Sequence, residues 1–251
     1  MGTKDNFTGK AAIYSEYRSN YPMTYINYLI QSNSLSPDHT VADIGSGTGI
    51  LTKQLLDQDL KVIAIEPNED MRSTAEKELN HYAKFTSING AAEHTPLQGQ
   101  SIDLITVAQA FHWFDKEQFK LECQRILKPD ANVALVWNSR DASSKLVIEN
   151  AAICQKYCPA FKGFSGGIDK TPDVYEQFFR NGRYEFKVFE YHLEFDLDHF
   201  IGRNLSGSYA PKETDEQYEP FIQSLSELYA KYSKNDVLIM PNLTRSYMGN
   251  V

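Results

Sequence analysis

Three glycines at alternate positions, Gly45, Gly47 and Gly49, follow an acid, Asp43, and precede a helical pattern of Ile50, Leu51, Leu55 and Leu56. With the apolar run Val41, Ala42 and Ile44 in front of them, these residues read as strand, tight loop and helix. Glycine serves where a backbone must take positive φ or let a ligand approach with no Cβ in the way. The helix behind such a loop offers free N–H groups to a polar or anionic ligand, and Ser46 lies in the same loop. A second acid, Glu66, ends the next apolar run, Lys61 to Ile65, about 23 residues after Asp43. An acid at the carboxyl end of the second strand of a βαβ unit is placed to accept hydrogen bonds from two ribose hydroxyls. The spacing is D-x-G-x-G-x-G. The third glycine of a dinucleotide loop, G-x-G-x-x-G, would fall on Ile50 or Thr52, and no Gly-Lys-Ser/Thr of a Walker loop follows.

A second cluster sits at the end of the apolar run Ser101 to Val107, where Ala108-Gln109-Ala110-Phe111-His112-Trp113-Phe114 stands. As the end of a fourth strand it faces the glycine loop, because ligands on open α/β sheets bind beyond the carboxyl ends of the strands. His112 has two readings: a general base for a substrate hydroxyl, or a hydrogen-bonded wall residue beside an acceptor that needs no base. Arg140, after a fifth strand, either grips an acidic substrate through its planar fork or pairs with Asp141 or another loop acid.

The elements that must position these groups follow from periodicity and turn signals. Asn68 caps a helix carrying Met71, Ala75 and Leu79; strands are expected over Lys84 to Ile88 and Asn132 to Trp137, with a helix from about Lys116 to Leu127 and a turn at Lys128-Pro129-Asp130. Beyond Ala142 the pattern is helical and then irregular to about Gly182, with Gly163, Gly166, Gly167 and Pro172 marking loops. A long strand Tyr184 to Phe195, helices over Asp198 to Tyr209 and about Glu213 to Tyr232, and a last strand Asp236 to Tyr247 complete the chain.

The phrase Asp43-Ile44-Gly45-Ser46-Gly47-Thr48-Gly49, with Ile65-Glu66-Pro67-Asn68 and Met71, resembles the first and second motifs of the class I S-adenosylmethionine-dependent methyltransferases. The phrases Tyr14-x-x-Tyr17-Arg18-x-x-Tyr21-Pro22, AQAFHWFD and Ser206-Gly207-Ser208-Tyr209 resemble a small-molecule subset that includes the trans-aconitate methyltransferase-like proteins. The resemblance implies an α/β, Rossmann-like, doubly wound, mostly parallel seven-stranded sheet with an antiparallel last strand, an N-terminal helical lid and a helical insertion after strand 5. It divides the chain into a helical cap, 1–35, and a methyltransferase domain, 36–251, with the insertion at about 142–182. The cofactor it implies is S-adenosylmethionine, with S-adenosylhomocysteine as product, held by Asp43, Gly45, Ser46, Gly47, Gly49, Glu66, Pro67, Met71, Ala92, Glu93 and Gln109. Tyr17 and Arg18 would close over it, aromatic faces toward the sulfonium and the guanidinium toward a carboxylate. The bland alternative is an aromatic helix face formed by Tyr14, Tyr17, Tyr21, Tyr25 and Tyr28 and broken at Pro22. The segment Gly90 to Leu97 resembles the family's loop under the adenine ring; many relatives carry Asp at the position of Ala91 to accept the adenine amino group, so here the candidate contacts are Ala92, through its backbone, and Glu93, with a solvated or capping acid as the alternative for Glu93. His112 is the candidate catalytic base. Tyr14, Trp113, Arg140 and Tyr209 are candidate acceptor contacts, with packing as the competing role for Tyr209.

The chain has 251 residues, 41% hydrophobic and 23% charged, so one large α/β domain with at most a small appendage is expected. Its formal net charge of −8 argues against a broad phosphate-binding surface, and therefore against a nucleic-acid substrate. The 109–114 loop also lacks the Asn/Asp-Pro-Pro-Tyr/Phe pattern of amino-methyltransferases. No apolar run approaches the roughly 18 residues of a membrane span and the first ten residues lack a signal-peptide core, so a cytoplasmic location and no membrane partner are expected. Cys123, Cys154 and Cys158 are read as buried small hydrophobes rather than metal ligands, and no metal is expected. The expected partner is a small-molecule methyl acceptor, and the protein a monomer or homodimer. A non-catalytic cofactor-binding module and a nicotinamide oxidoreductase are the competing functions.

Overall fold

The computed structural model describes residues 19–164, 173–207 and 209–251. Among them a seven-stranded sheet runs in the order β3-β2-β1-β4-β5-β9-β6. Its parallel half is β1 (Thr40–Ile44), β2 (Lys61–Ile65), β3 (Phe85–Ile88), β4 (Ile102–Ala108) and β5 (Leu127–Arg140). The strand β9 (Asn242–Gly249) inserts antiparallel between β5 and the edge strand β6 (Glu185–Glu190). This is the doubly wound architecture expected, with its antiparallel last strand.

The helices α1 (Met23–Ser32), α2 (Ile50–Leu56) and α3 (Glu69–Leu79) cover one face, and α4 (Lys116–Ile126) and α6 (Val174–Phe178) the other. Side chains alternate across a strand. Thus Val41 of β1 joins Leu51, Leu55 and Leu79 on the first face, while Ala42 and Ile44 join Phe119 and Phe178 on the second. Tyr25 and Tyr28 of α1 are buried against Phe189 of β6, with ring centroids 5.6 and 5.5 Å away, and the Tyr28 hydroxyl donates to Glu185 at 2.6 Å. For these two tyrosines the packing role holds. Tyr14 and Tyr17 lie outside the described residues.

Several boundaries differ from expectation. The turn at Lys128-Pro129-Asp130 is a bulge inside β5: Ile102 pairs with Leu127 and Leu104 with Asn132, and Asp130 takes φ +60°. The expected strand Tyr184 to Phe195 is broken into β6 and β7 (Leu193–Phe195), and the last strand into β8 (Leu238–Met240) and β9. Pro241, which has no N–H for a ladder, stands at the second break, and β7 and β8 form a separate two-stranded sheet. The helix expected over Asp198 to Tyr209 stops at Leu205 (α7, Leu197–Leu205), and the next begins only at Tyr218 (α8, Tyr218–Tyr232). A third core gathers α5 (Lys145–Tyr157), Phe161, α7, α8 and β8, so the helical unit draws on far more of the chain than 142–182. Cys154 and Cys158 are buried in it.

Candidate functional site

The glycine loop leaves β1 and closes on the end of β2, where Gly45 and Ser46 both donate to the Ile65 carbonyl at 2.8 and 3.2 Å. Gly45 takes φ +69°, and a Cβ there would meet Ala110 Cβ at 2.7 Å and the Phe114 ring at 3.1 Å. The loop after β4 therefore packs directly on the loop after β1. Gly47, at φ +57°, is different: a Cβ there would meet nothing nearer than Met71 Sδ at 3.6 Å, so the space above its backbone is open. Gly49 caps α2 at φ +83° and its missing Cβ makes room for Leu79 and Ala75. It is a packing glycine.

Above Gly47 lies a cleft bounded by the ends of β1, β2 and β4 and lined by Gly45, Ser46, Gly47, Glu66, Pro67, Met71, Ala92, Glu93, Gln109 and Trp113, all expected to share one site. Ser19, Tyr21, Thr48, Asn68, Ala91, Ala110 and Phe114 also line it. Thr48 stands within the glycine motif, and Ala110 and Phe114 within the aromatic run, so their place was open to sequence reasoning. Tyr21 belongs to the tyrosine phrase that ends at Pro22, whereas Ser19 arrives by tertiary approach and carried no signal of its own.

Glu66 is the best placed carboxylate. One oxygen accepts from Gly47 N–H at 2.9 Å and the other from Asn68 N–H at 2.8 Å. Burial raises its pKa, opposed by those two backbone N–H groups and by Arg72. A carboxylate has about four lone-pair positions, so two remain for a ligand. Asp43, in contrast, is fully buried beneath the loop and does not line the cleft. It accepts from Thr52 Oγ1 at 2.6 Å and Thr106 Oγ1 at 2.9 Å, tying β1 to α2 and β4. Burial pushes its carboxyl up to about 6. The expected direct contact is thus a positioning role.

Gln109 takes φ +60°, its N–H donates to Val136 O at 2.9 Å and its side-chain amide to Asn138 O at 3.2 Å. A non-glycine residue held in the left-handed region at a cleft is strain of the kind that gathers at functional sites. Glu93 accepts from Asp115 N–H at 2.9 Å, a capping contact at the start of α4. His112 lies in the 3-10 turn Phe111–Trp113 with its ring 4.6 Å from that of Trp113, and is not among the cleft-lining residues.

Arg140 and Tyr209 do not line the cleft; they come together beside the third core. The Arg140 guanidinium stacks 3.7 Å from the Phe164 ring centroid, Phe161 stands 4.8 Å from Tyr209, and Arg140 contributes a hydrogen bond to Tyr209. Burial raises the Tyr209 pKa, opposed by the Arg140 charge. Tyr14, Tyr17 and Arg18 lie outside the described residues.

Residues 42–135, which contain the glycine loop, Glu66, Glu93 and the aromatic run, match a family model described as a methyltransferase domain. The similarity to methyltransferases rests on this segment. An uncharacterized methyltransferase of Mycobacterium tuberculosis is 34% identical over 136 residues, 54% of this chain and 53% of that protein. One from Schizosaccharomyces pombe is 31% identical over 154 residues, 60% of this chain and 59% of its own. The chain spans about half the length of the curated relatives it matches. Among solved structures, a candidate type II methyltransferase of Anaeromyxobacter dehalogenans superposes with TM-score 0.67 at 20% identity, covering 93% of this chain and 98% of the other. A Haemonchus contortus phosphoethanolamine N-methyltransferase in complex with S-adenosylhomocysteine gives 0.56 at 14% identity, over 99% of this chain and 58% of that one. The fold is thus shared with proteins far apart in sequence.

Proposed function

We propose that this protein transfers the methyl group of S-adenosylmethionine to a small-molecule acceptor and releases S-adenosylhomocysteine. The observation that carries the reading is the pairing of Glu66 with Gly47: a carboxylate at the end of β2 bonded to a loop glycine that leaves the space above it open. The residues fit the cofactor on a second count, because Thr48 Oγ1 lines the cleft, is buried and has no hydrogen-bond partner among the described residues. S-adenosylmethionine supplies, when bound, a methyl group on a cationic sulfur. Glu66 would accept from the ribose hydroxyls, the glycine loop would admit the ligand against its backbone, and Ala91, Ala92 and Glu93 would form the far wall. Trp113 and Phe114 exclude water and help align the acceptor, which is where most of the acceleration of an in-line displacement arises.

For the acceptor, the contact between Arg140 and Tyr209 favours a carboxylate, as in the trans-aconitate-like proteins. Methylation of a carboxylate needs no base, in keeping with the position of His112 outside the cleft lining. The net charge of −8 supports a small molecule over nucleic acid. Calorimetric titration with S-adenosylmethionine, S-adenosylhomocysteine and NAD tests the cofactor. Micromolar binding of the first two and none of NAD is expected, and Glu66→Ala should weaken it by roughly 1.5 to 3 kcal/mol, the loss for hydrogen bonds to a charged acceptor. Binding without turnover on any small carboxylic acid, alcohol or amine would leave a non-catalytic module. No binding of either sulfur ligand would withdraw the assignment.

A further inference from the structure

We propose that Gln54 and Asn138 are positioning residues that strap residues 19–21 across the cleft and so slow the escape of the bound cofactor. The inference rests on reading the cleft as the S-adenosylmethionine site. Gln54, on α2, meets Tyr21 with both ends of one amide: Oε1 accepts from Tyr21 N–H at 2.8 Å and Nε2 donates to Tyr21 O at 2.7 Å. On the opposite rim Asn138 of β5 donates from Nδ2 to Asn20 O at 2.9 Å. Two consecutive residues are thus held by side chains from two elements on either side of the sheet's ligand end.

The strap belongs to the cleft because Ser19 and Tyr21 line it while neither Gln54 nor Asn138 does. It is also coupled to the cleft floor. Asn138 Oδ1 accepts from Thr244 Oγ1 at 2.5 Å, which fixes the amide, and its backbone carbonyl accepts the side chain of Gln109, the strained residue lining the site. Docking of α1 does not account for these bonds. That helix is anchored independently by Tyr25, Ile26 and Leu29, all fully buried, and starts from Pro22, whose φ of −64° suits a helix entry. The bonds of Gln54 and Asn138 fall one and two residues before it, on backbone groups of the segment that walls the cleft, while the Tyr21 ring packs separately on Tyr25 at 5.8 Å.

Gln54→Met tests the strap by removing both bonds to Tyr21 while keeping the length of the side chain; Asn138→Asp replaces the donor to Asn20 O with an oxygen while keeping the acceptor for Thr244. Hydrogen exchange at the Tyr21 amide and titration with S-adenosylhomocysteine are measured on both variants and on the wild-type protein. Each variant should exchange faster at Tyr21 and bind S-adenosylhomocysteine roughly three- to tenfold more weakly, the scale of neutral hydrogen bonds. The increase should appear in the dissociation rate and in the KM for S-adenosylmethionine rather than in kcat, with the thermal midpoint of the ligand-free protein unmoved. Faster exchange with unchanged affinity would overturn the proposal, as would unchanged exchange in both variants. If the wild-type protein binds neither sulfur ligand the cofactor reading itself fails and takes the retention role with it, whereas the exchange data still report whether the clamp exists.

Discussion

Asp43 shows where residue type and role part company. By position in its motif it reads as a ligand group, yet it is fully buried and serves Thr52 and Thr106, holding β1, α2 and β4 in register beneath the loop. Its carboxyl is raised from an ordinary 3.8 to about 6, chiefly by burial, with the neighbouring Glu66 charge adding to it. Between those values the unfolded chain has released the proton and the folded protein keeps it, so the contribution of Asp43 to stability is largest below pH 4 and falls until about pH 6. At about 1.4 kcal/mol per pH unit the loss is about 3 kcal/mol. Asp43→Asn removes that dependence: in urea unfolding at pH 4 and pH 7 the variant should gain about 2.5 kcal/mol relative to wild type between the two, and parallel pH profiles would refute the account. Glu66 was legible because its position follows from the length of a βαβ unit. The deeper role of Asp43 was not, since sequence gives the acid but not which side of the loop its side chain takes.

Among the elements, those with strong periodicity came through with boundaries within a residue or two: β1 to β4, α3 and α4. The misread ones failed where a backbone irregularity, not a change in hydrophobic pattern, decides the outcome, as at the β5 bulge and at Pro241. The loop Ala91 to Leu97 shows how an element of no regular pattern is nevertheless fixed. Glu122 of α4, itself buried, accepts from Thr95 N–H at 2.7 Å and Thr95 Oγ1 at 2.5 Å, and Arg125 donates to Thr95 O, Leu97 O and both oxygens of Glu122. Burial acts to raise the Glu122 pKa, but the Arg125 and Thr95 hydrogen bonds outweigh it and hold the carboxyl below its ordinary value. Glu122→Gln turns one acceptor into a donor facing Thr95 or Arg125. It should cost roughly 1.5 to 3 kcal/mol in denaturant unfolding, the scale for hydrogen bonds to charged groups. Because Ala91, Ala92 and Glu93 line the cleft immediately before Thr95, S-adenosylhomocysteine titration of the folded variant should also show weaker binding. Lost stability with unchanged affinity would mean that the loop keeps its shape without α4.

Across the whole molecule, the hydrophobic residues divide into two cores that share the sheet and a third that does not depend on its parallel half. The first two were foreseeable from alternation in the strands. The third was not, because its members come from pieces far apart in sequence, from Leu146 on α5 to Leu238 and Met240 on β8, and no local pattern says that they meet. The division separates two jobs: among the described residues, all those lining the cleft lie between Ser19 and Phe114, while the third core supplies the Arg140 and Tyr209 neighbourhood proposed for the acceptor. Phe221, fully buried in α8, is the place to test this. Phe221→Ala should cost about 3 to 5 kcal/mol within the third core, as large-to-small changes at buried aromatics do. Hydrogen exchange should rise across α5, α7 and α8 while the strands β1 to β4 stay protected, a sub-global opening rather than loss of the whole fold. Affinity for S-adenosylhomocysteine should then remain within about twofold of wild type, because no cleft contact is lost, whereas methyl transfer to the acceptor should fall. Equal loss of protection in all three cores, with cofactor binding lost in step, would show that the helical unit and the cofactor half fold as one.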